Sequence, residues 1–210
     1  MKQSKVLKLL VVSLLLLTCG FTIFIFARNS QPEPITIGRL QDKAQEALVF
    51  CIKNGYNADF CILIDMRIHS GRDRMFVWNF KSQQIDHQSL CAHGSGKGDK
   101  LSIGAKPLFS NVNGSNLTSL GKYKIGMRAG SQWGIKVHYK MHGLESTNNN
   151  AFRRIVVLHS HTPVPDREIY PVHLPMGWSL GCPVTDNATM RYLDEKLKTS
   201  KKQILLWIFY

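Results

Sequence analysis

Short β-rich segments separated by turn residues extend from residue 61 to the end of the chain, and they constrain the fold more than any other feature of the sequence. Residues 61–66 and 75–80 flank turn residues and predict a hairpin. Further strands are predicted in four internal segments and at the apolar C-terminus: residues 88–93, 121–126, 135–139, 154–159 and 203–210. Many strands, few helices and a single core predict a mostly-β domain, built as a β-sandwich or as a barrel-like sheet.

Two helices are expected beside these strands. Apolar residues recur at helical spacing over residues 40–51 and an Asn-Gly pair ends the run, which predicts an amphipathic helix packed against a sheet. Residues 186–198 predict a second helix with Asp186 near its start. The glycine-rich segment 94–98 is predicted to be a loop, because it lacks the Gly-Lys-Ser/Thr ending of a phosphate-binding loop.

The N-terminal segment 1–30 has the pattern of a membrane anchor. Lysines precede an uninterrupted apolar run over 9–27, which is near the roughly 17–25 residues of a spanning helix, and no small-x-small cleavage site ends the run. Because the lysines stay inside the cell, we predict a transmembrane signal anchor, a linker over 31–39 and an exported domain over 40–210. Residues 16–19 also resemble a lipoprotein cleavage box, so lipoprotein processing is the alternative.

The charge balance restricts the partners that this chain can bind. Its 27 basic and 14 acidic residues give a formal net charge of +13, and a basic surface favours polyanions or polycarboxylates. No helix-turn-helix, zinc-finger or RNA-binding signature is present, so nucleic acid is not an expected partner. A carboxylate-rich cell-wall polymer and an anionic membrane surface fit the charge equally well.

Some cysteines of the predicted exported part could form a disulfide, and others are expected to remain free thiols. A Cys51–Cys61 disulfide is compatible with an extracytoplasmic location, where disulfides persist, but the sequence does not fix the pairing. Cys182 must stay reduced if it is a nucleophile. That leaves Cys91 as an unpaired thiol, which we expect to be buried in a strand.

Gly181, Cys182 and Pro183 form the segment with the strongest chemical signal. Glycine permits backbone angles and close approaches that other residues do not, and proline fixes its own backbone and restrains the residue before it. A cysteine between them stands on a stiff turn, which suits a nucleophile whose neighbouring amides stabilise a developing negative charge. A buried structural cysteine in a Gly-Pro turn is the alternative.

His159 is the base expected to act with this cysteine. It ends an apolar strand, and the proline-punctuated loop that follows is long enough to bring the chain back to it. An imidazole beside a thiol favours a thiolate–imidazolium pair and lowers the cysteine pKa from about 8.5. The thiolate of Cys182 then attacks a carbonyl to give a thioester, and the amides near Gly181 and Cys182 hold the oxyanion.

Seven short motifs follow one another along the chain. They are Phe76-Val77-Trp78, Ala92-His93-Gly94, Phe109-Ser110-Asn111, Ser119-Leu120-Gly121-Lys122-Tyr123, Gly143-Leu144-Glu145, Leu158-His159-Ser160 and Ser179-Leu180-Gly181-Cys182-Pro183. Each motif is weak alone, but the ordered set resembles the L,D-transpeptidases of the YkuD type, bacterial enzymes that remodel peptidoglycan, and in particular a divergent branch of that family. The resemblance covers roughly residues 40–210 and implies an L,D-transpeptidase-like domain.

The resemblance also implies roles for individual residues. Cys182 matches the acyl-accepting nucleophile, His159 the general base, and Ser160 the neighbour that orients the imidazole through its backbone carbonyl. Gly181 and Leu180 match positions whose amides contribute to the oxyanion hole. The common family has histidine where Leu180 stands, so the seating of the substrate is expected to differ here.

Four further residues are expected at the substrate-binding wall: Ser179, Trp178, His161 and His93. No cofactor or metal is expected. A zinc site made by His159, His161, His173 and Cys182 is the alternative, since histidine and cysteine sets suit zinc.

The function implied by the resemblance is a cysteine acyltransferase acting on peptidoglycan stem peptides outside the cytoplasmic membrane, to which the N-terminal helix anchors it. Cys182 would attack the carbonyl of an L-configured centre, typically diaminopimelate, and an amine of a neighbouring stem would resolve the thioester. Three alternatives stay open: an L,D-carboxypeptidase, in which water resolves the thioester, a non-catalytic wall-binding module and a zinc hydrolase.

Overall fold

One curved eight-stranded sheet forms the body of the domain in the computed structural model, which describes residues 34–102 and 106–210. The strands in chain order are β1 Phe60–Asp65, β2 Met75–Asn79, β3 Gln84–Ser89, β4 Gly96–Lys97, β5 Lys100–Leu101, β6 Gly121–Gly130, β7 Val137–Gly143, β8 Val157–Ser160, β9 Val184–Thr185 and β10 Leu205–Phe209. The order across the large sheet is β3-β2-β1-β10-β6-β7-β8-β9, while β4 and β5 pair in a separate short hairpin.

The two edges of the sheet meet, so that it nearly closes into a barrel. The chain that leaves β3 runs beside β9, where the Ala92 N–H donates to the Val184 carbonyl at 2.7 Å and the Val184 N–H donates to the Ala92 carbonyl at 3.3 Å. The Thr185 hydroxyl extends this seam by donating to the Leu90 carbonyl at 3.0 Å. The mostly-β prediction is confirmed, and of its two forms the barrel-like sheet is the observed one.

Helix α1 (Pro34–Asn54) covers one face of the sheet. Leu40 and Ala44 are buried there in one cluster with Leu63 of β1 and Trp207 of β10. Gly55 follows the helix with φ +70°, a left-handed conformation that glycine adopts readily at a helix end. The predicted amphipathic helix and its end are therefore confirmed, but the helix begins at Pro34, within the segment 31–39 that was predicted to be a linker.

Helix α2 (Asn187–Thr199) packs against the opposite face, where Met190 and Leu193 are buried with Ile62 and Leu206. Since helices cover both faces, β1 and β10 are buried along their whole length, which explains their continuous apolar sequences. This arrangement confirms the second helix, the β1–β2 hairpin and the core position of the C-terminal strand.

Several predicted boundaries were wrong. The strand expected at 88–93 lies earlier, as β3. Residues 90–92 are apolar because they are buried where the two edges of the sheet meet, and they follow the strand instead of belonging to it. The strand expected at 154–159 begins only at Val157, because Ile155 has φ +57°, outside the extended region. The glycine-rich segment 94–98, expected to be a loop, supplies β4.

Cys51, Cys61 and Cys91 are buried free thiols, so the structure contains no Cys51–Cys61 disulfide. Cys91 is buried as expected, but it follows β3 instead of lying within a strand. The predicted anchor over 1–30 lies outside the described residues. Within the described ranges, no helix is long and apolar enough to cross a membrane.

The N-cap of α2 can be tested by substitution. Asp186 Oδ1 accepts from the Thr189 N–H at 2.8 Å, and the residue is 2% exposed. We expect Asp186→Ala to lower the free energy of unfolding by about 1–2 kcal/mol, measured by urea denaturation. Asp186→Asn is the control because it can still cap the helix. Equal losses in both variants would show that the cap hydrogen bond is not the cause.

Candidate active site

The pairing of β8 with β9 fixes the position of Cys182 relative to His159. The two strands are parallel, with His159 opposite Val184, and Cys182 lies two residues before Val184. Both side chains line one cleft of about 470 Å³. Sheet register thus brings the predicted nucleophile and the predicted base into the same site.

Two loops form the walls of this cleft. Parallel strands need a crossover connection, and the segment between β8 and β9 supplies one wall with residues 177–180. The loop between β6 and β7 supplies the other wall with residues 131–133. The cleft is therefore open to solvent between two loops and rests on the β7–β8 pair.

The Cys182 thiol is neutral in this resting structure. Burial raises the pKa of Cys182 above its ordinary value, and the Val157 N–H, Arg154 and Lys140 oppose that shift without reversing it. The sulfur accepts from the Val157 N–H at 3.4 Å and lies 4.0 Å from the Ile155 carbonyl oxygen. Among the described residues, no hydrogen bond joins the thiol to the His159 ring. The expected resting thiolate–imidazolium pair is therefore not observed.

Burial favours the neutral form of the His159 imidazole, and the Ser160 carbonyl on the same strand sets its tautomer. Its Nδ1 lies 3.0 Å from the Ser160 carbonyl, and a proton on Nδ1 that satisfies this carbonyl leaves Nε2 as the basic nitrogen. Burial lowers the pKa of His159, the Ser160 carbonyl opposes the shift, and His161 and His138 add to it. A neutral imidazole beside a neutral thiol is ready to accept the thiol proton when a substrate binds.

The Ser179 hydroxyl organises the cysteine turn. It donates to the Cys182 carbonyl at 2.6 Å and accepts from the Gly181 N–H at 3.0 Å. Gly181 therefore does not offer a free amide, and the expectation that it contributes to an oxyanion hole is wrong for this conformation. Within the described chain, the Leu180 and Cys182 amides have no hydrogen-bond acceptor, so they are the ones available to an oxyanion.

Aromatic side chains line the cleft around His161. The ring centroids of Trp133 and Trp178 lie 5.2 and 5.8 Å from that of His161, both in edge-on contact. Trp178, His161 and Ser179 are thus in the cleft, as expected, and Leu180 lines it with 64% of its surface exposed. Trp133 was not foreseen, because it lies in a loop remote in sequence from the other site residues.

A comparison with protein families gives a match to the L,D-transpeptidase catalytic domain over residues 39–208. The chain belongs to this family. A comparison with curated proteins finds no match.

Two solved structures share a limited resemblance with this L,D-transpeptidase-family chain. The helical cell shape determining protein Pgp2 from Campylobacter jejuni is 9% identical, with a TM-score of 0.44 over 71% of this chain and 46% of that chain. An L,D-transpeptidase from Xylanimonas cellulosilytica is 12% identical, with a TM-score of 0.40 over 76% of this chain and 67% of that one. This chain therefore spans about half of the Pgp2 structure.

Arg154 is a site residue of this L,D-transpeptidase domain that the sequence did not reveal. Its guanidinium donates to the Leu117 carbonyl at 2.5 Å and to the Ser119 hydroxyl at 2.6 Å, and its positive charge lowers the Cys182 pKa. The segment it holds reaches the turn through Thr118, whose hydroxyl donates to the Gly181 carbonyl at 3.2 Å. No spacing pattern marks Arg154, since it was assigned to a strand.

Two of the predicted histidines lie outside the cleft. His93 does not line it, and its Nδ1 instead lies 2.7 Å from the buried Arg74 guanidinium. His173 stacks on His69 with ring centroids 3.5 Å apart, and its Nδ1 lies 2.9 Å from the Ser70 hydroxyl. The alternative zinc set is therefore not assembled. Among the residues that the structure describes, no three histidine, cysteine, aspartate or glutamate side chains lie close enough together to hold a metal ion.

The close approach of Gly181 gives a stability test with an internal control. Gly181 has φ +119°, and a Cβ there would lie 2.9 Å from the Leu117 carbonyl oxygen. Gly177 has φ +88°, and a Cβ there would meet nothing within 4 Å. Both alanine substitutions are strained, so we expect Gly181→Ala to cost about 1–3 kcal/mol more than Gly177→Ala, measured by chemical denaturation. Equal losses in the free energy of unfolding would mean that the backbone near Leu117 shifts to accommodate the new methyl group without a measurable cost.

The neutral state of Cys182 predicts its reactivity toward small reagents. Alkylation by iodoacetamide requires the thiolate, and burial raises the pKa of Cys182. We expect the alkylation rate to keep rising with pH beyond about 8.5, followed by intact mass. Cys182→Ala supplies the background. A rate that is already constant between pH 6 and 8 would instead indicate a preformed thiolate.

Proposed function

We propose that this chain is a peptidoglycan-remodelling L,D-transpeptidase whose nucleophile is Cys182. The observation that carries the proposal is the β8–β9 register, which brings Cys182 and His159 into one cleft of an L,D-transpeptidase-family domain. The substrate is the stem peptide, and the bond that breaks joins an L-configured centre to the terminal D-residue.

Acylation begins when the stem peptide binds across the cleft. His159 Nε2 takes the thiol proton as the Cys182 sulfur attacks the carbonyl carbon, and the oxygen acquires negative charge. The Cys182 and Leu180 amides, free of other acceptors, donate to that oxygen. The carbon–nitrogen bond then breaks, His159 gives its proton to the leaving amine, and a thioester on Cys182 is left.

Charges around the site assist this step. The Ser160 carbonyl holds the Nδ1 proton and stabilises the imidazolium that forms at His159. Arg154 and Lys140 place positive charge near the sulfur and favour the developing thiolate. These contacts are stronger when His159 and Cys182 are charged than when both are neutral, so they lower the barrier and not only the energy of binding.

Resolution of the thioester distinguishes transfer from hydrolysis. An amine of a second stem gives a crosslink, whereas water gives a shortened stem and would make the protein an L,D-carboxypeptidase.

The chain also carries the basic charge and N-terminal apolar run expected of a protein anchored in the cytoplasmic membrane, with its domain in the periplasm or an equivalent extracytoplasmic space.

A covalent adduct tests this function directly. We expect the full chain, held in detergent and incubated with a tetrapeptide stem, to gain the mass of a tripeptidyl group by intact-mass spectrometry. Cys51→Ala should gain it equally, because Cys51 is buried in α1, and Cys182→Ala should not. His159→Gln should slow the gain by about 100-fold or more.

The products separate the remaining alternatives. Stem dimers indicate transfer and tripeptides indicate hydrolysis. An unmodified wild-type protein, or an adduct that survives in Cys182→Ala, would contradict the proposal. An unmodified protein that still binds peptidoglycan would support the wall-binding module.

A further inference from the structure

His138 on β7 carries a buried nitrogen without a partner at the floor of the cleft. Its Nε2 is shielded from solvent, and among the described residues it has no hydrogen-bond partner. A buried polar atom left unpaired costs free energy, so it needs an explanation in a native structure. The ring lines the same cleft as Cys182 and His159, and no step of acylation uses it.

The register of β7 and β8 places this nitrogen beside the reacting groups. His138 lies opposite His159 and Lys140 lies opposite Val157, so these four side chains share one face of the sheet. The residue between them on β7, Tyr139, belongs to the buried core on the other face. His138 is therefore the cross-strand neighbour of the base that acts on Cys182.

In the second half of the proposed reaction the acceptor ammonium loses two protons, and His159, which is neutral again after acylation, can hold only one of them. An acceptor amine resembles a lysine side chain and carries a proton at neutral pH, since such amines titrate near about 10.4. An ammonium cannot attack a thioester. In the described part of the chain, no aspartate or glutamate lines the cleft, so the bases available there are His138, His159 and His161.

The surroundings of His138 keep its lone pair available. Burial lowers the pKa of His138, the nearby Lys140 charge adds to this, and a hydrogen bond to the Gly130 backbone opposes it. The titratable and charged side chains that line the cleft with it or lie beside it are Lys140, His159, His161 and Cys182. His161 is in edge-on contact with two tryptophans, and His159 carries the proton that is returned to the Cys182 sulfur. His138 is left for the incoming amine, which reaches the shielded Nε2 only when the ring or its neighbours shift on binding.

We propose that His138 is a second catalytic base, which deprotonates the acceptor amine before it attacks the thioester. This inference rests on the proposed function and extends it to the resolving step. The ammonium gives a proton to His138 Nε2, and the neutral amine attacks the thioester carbon and forms the carbon–nitrogen bond. The carbon–sulfur bond breaks, His159 passes the second amine proton to the Cys182 sulfur, and His138 releases its proton to solvent.

Two nucleophiles that differ in charge test this role. The stem amine is an ammonium at pH 7, whereas hydroxylamine is already neutral. We expect His138→Gln to reduce stem-dimer formation by about 100-fold, with a much smaller loss of hydroxamate formation from the same acyl-enzyme. Products should shift from dimers to tripeptides. Dimer formation by the variant should recover as pH rises toward the pKa of the amine.

A matched control comes from the same strand. His142 also lies on β7, but it stacks on Phe152 and does not line the cleft, so His142→Gln should leave the ratio of dimers to hydroxamate unchanged. His138→Asn serves as a second variant if the glutamine variant is unstable. Equal losses with both nucleophiles would indicate a structural role and overturn the inference, as would full dimer formation. A wild-type protein that forms no adduct would overturn the proposed function and this inference with it.

Discussion

The hydrogen-bonded seam between Ala92 and Val184 is the constraint on which the site depends. Val184 pairs with Ala92 on one side and with His159 on the other, so the short strand that follows the cysteine is fixed from both edges of the sheet. The hydrogen bonds that nearly close the barrel therefore also help to position the cysteine turn. A protein that lost the seam would still pair β8 with β9, but β9 and the cysteine turn before it would be held from one side only.

Opposing effects set the pKa of Cys182, and burial has the largest influence. Arg154, Lys140 and the Val157 amide all favour the thiolate, yet the pKa of Cys182 stays above its ordinary value because partial burial disfavours the charged form more strongly. His159 is neutral for the same reason. A neutral thiol of this kind is also less open to oxidants, which attack thiolates.

The sequence predicted the parts of the structure that local patterns encode. The spacing of apolar residues predicted α1, and Asp186 predicted the start of α2. The residues around His159 and Cys182 predicted which side chains would line the candidate active site. The sequence did not predict Arg154 or Trp133, because their places in the site come from contacts between segments that are far apart in the chain. Nor did it show that Ser179 occupies the Gly181 amide, since that depends on the final shape of the turn.

The parallel pairing of β8 and β9 has a consequence for how such a protein can diversify. A parallel pair cannot be joined by a tight turn, so the fold imposes a long excursion between the base and the nucleophile, and that excursion is a wall of the binding cleft. A change in the length or shape of this segment would leave in place the strand register that sets His159 opposite Val184. Only the end of this segment is tied to the chemistry, because Ser179 hydrogen-bonds within the cysteine turn, whereas the residues before it are free to vary in length without shifting the sheet.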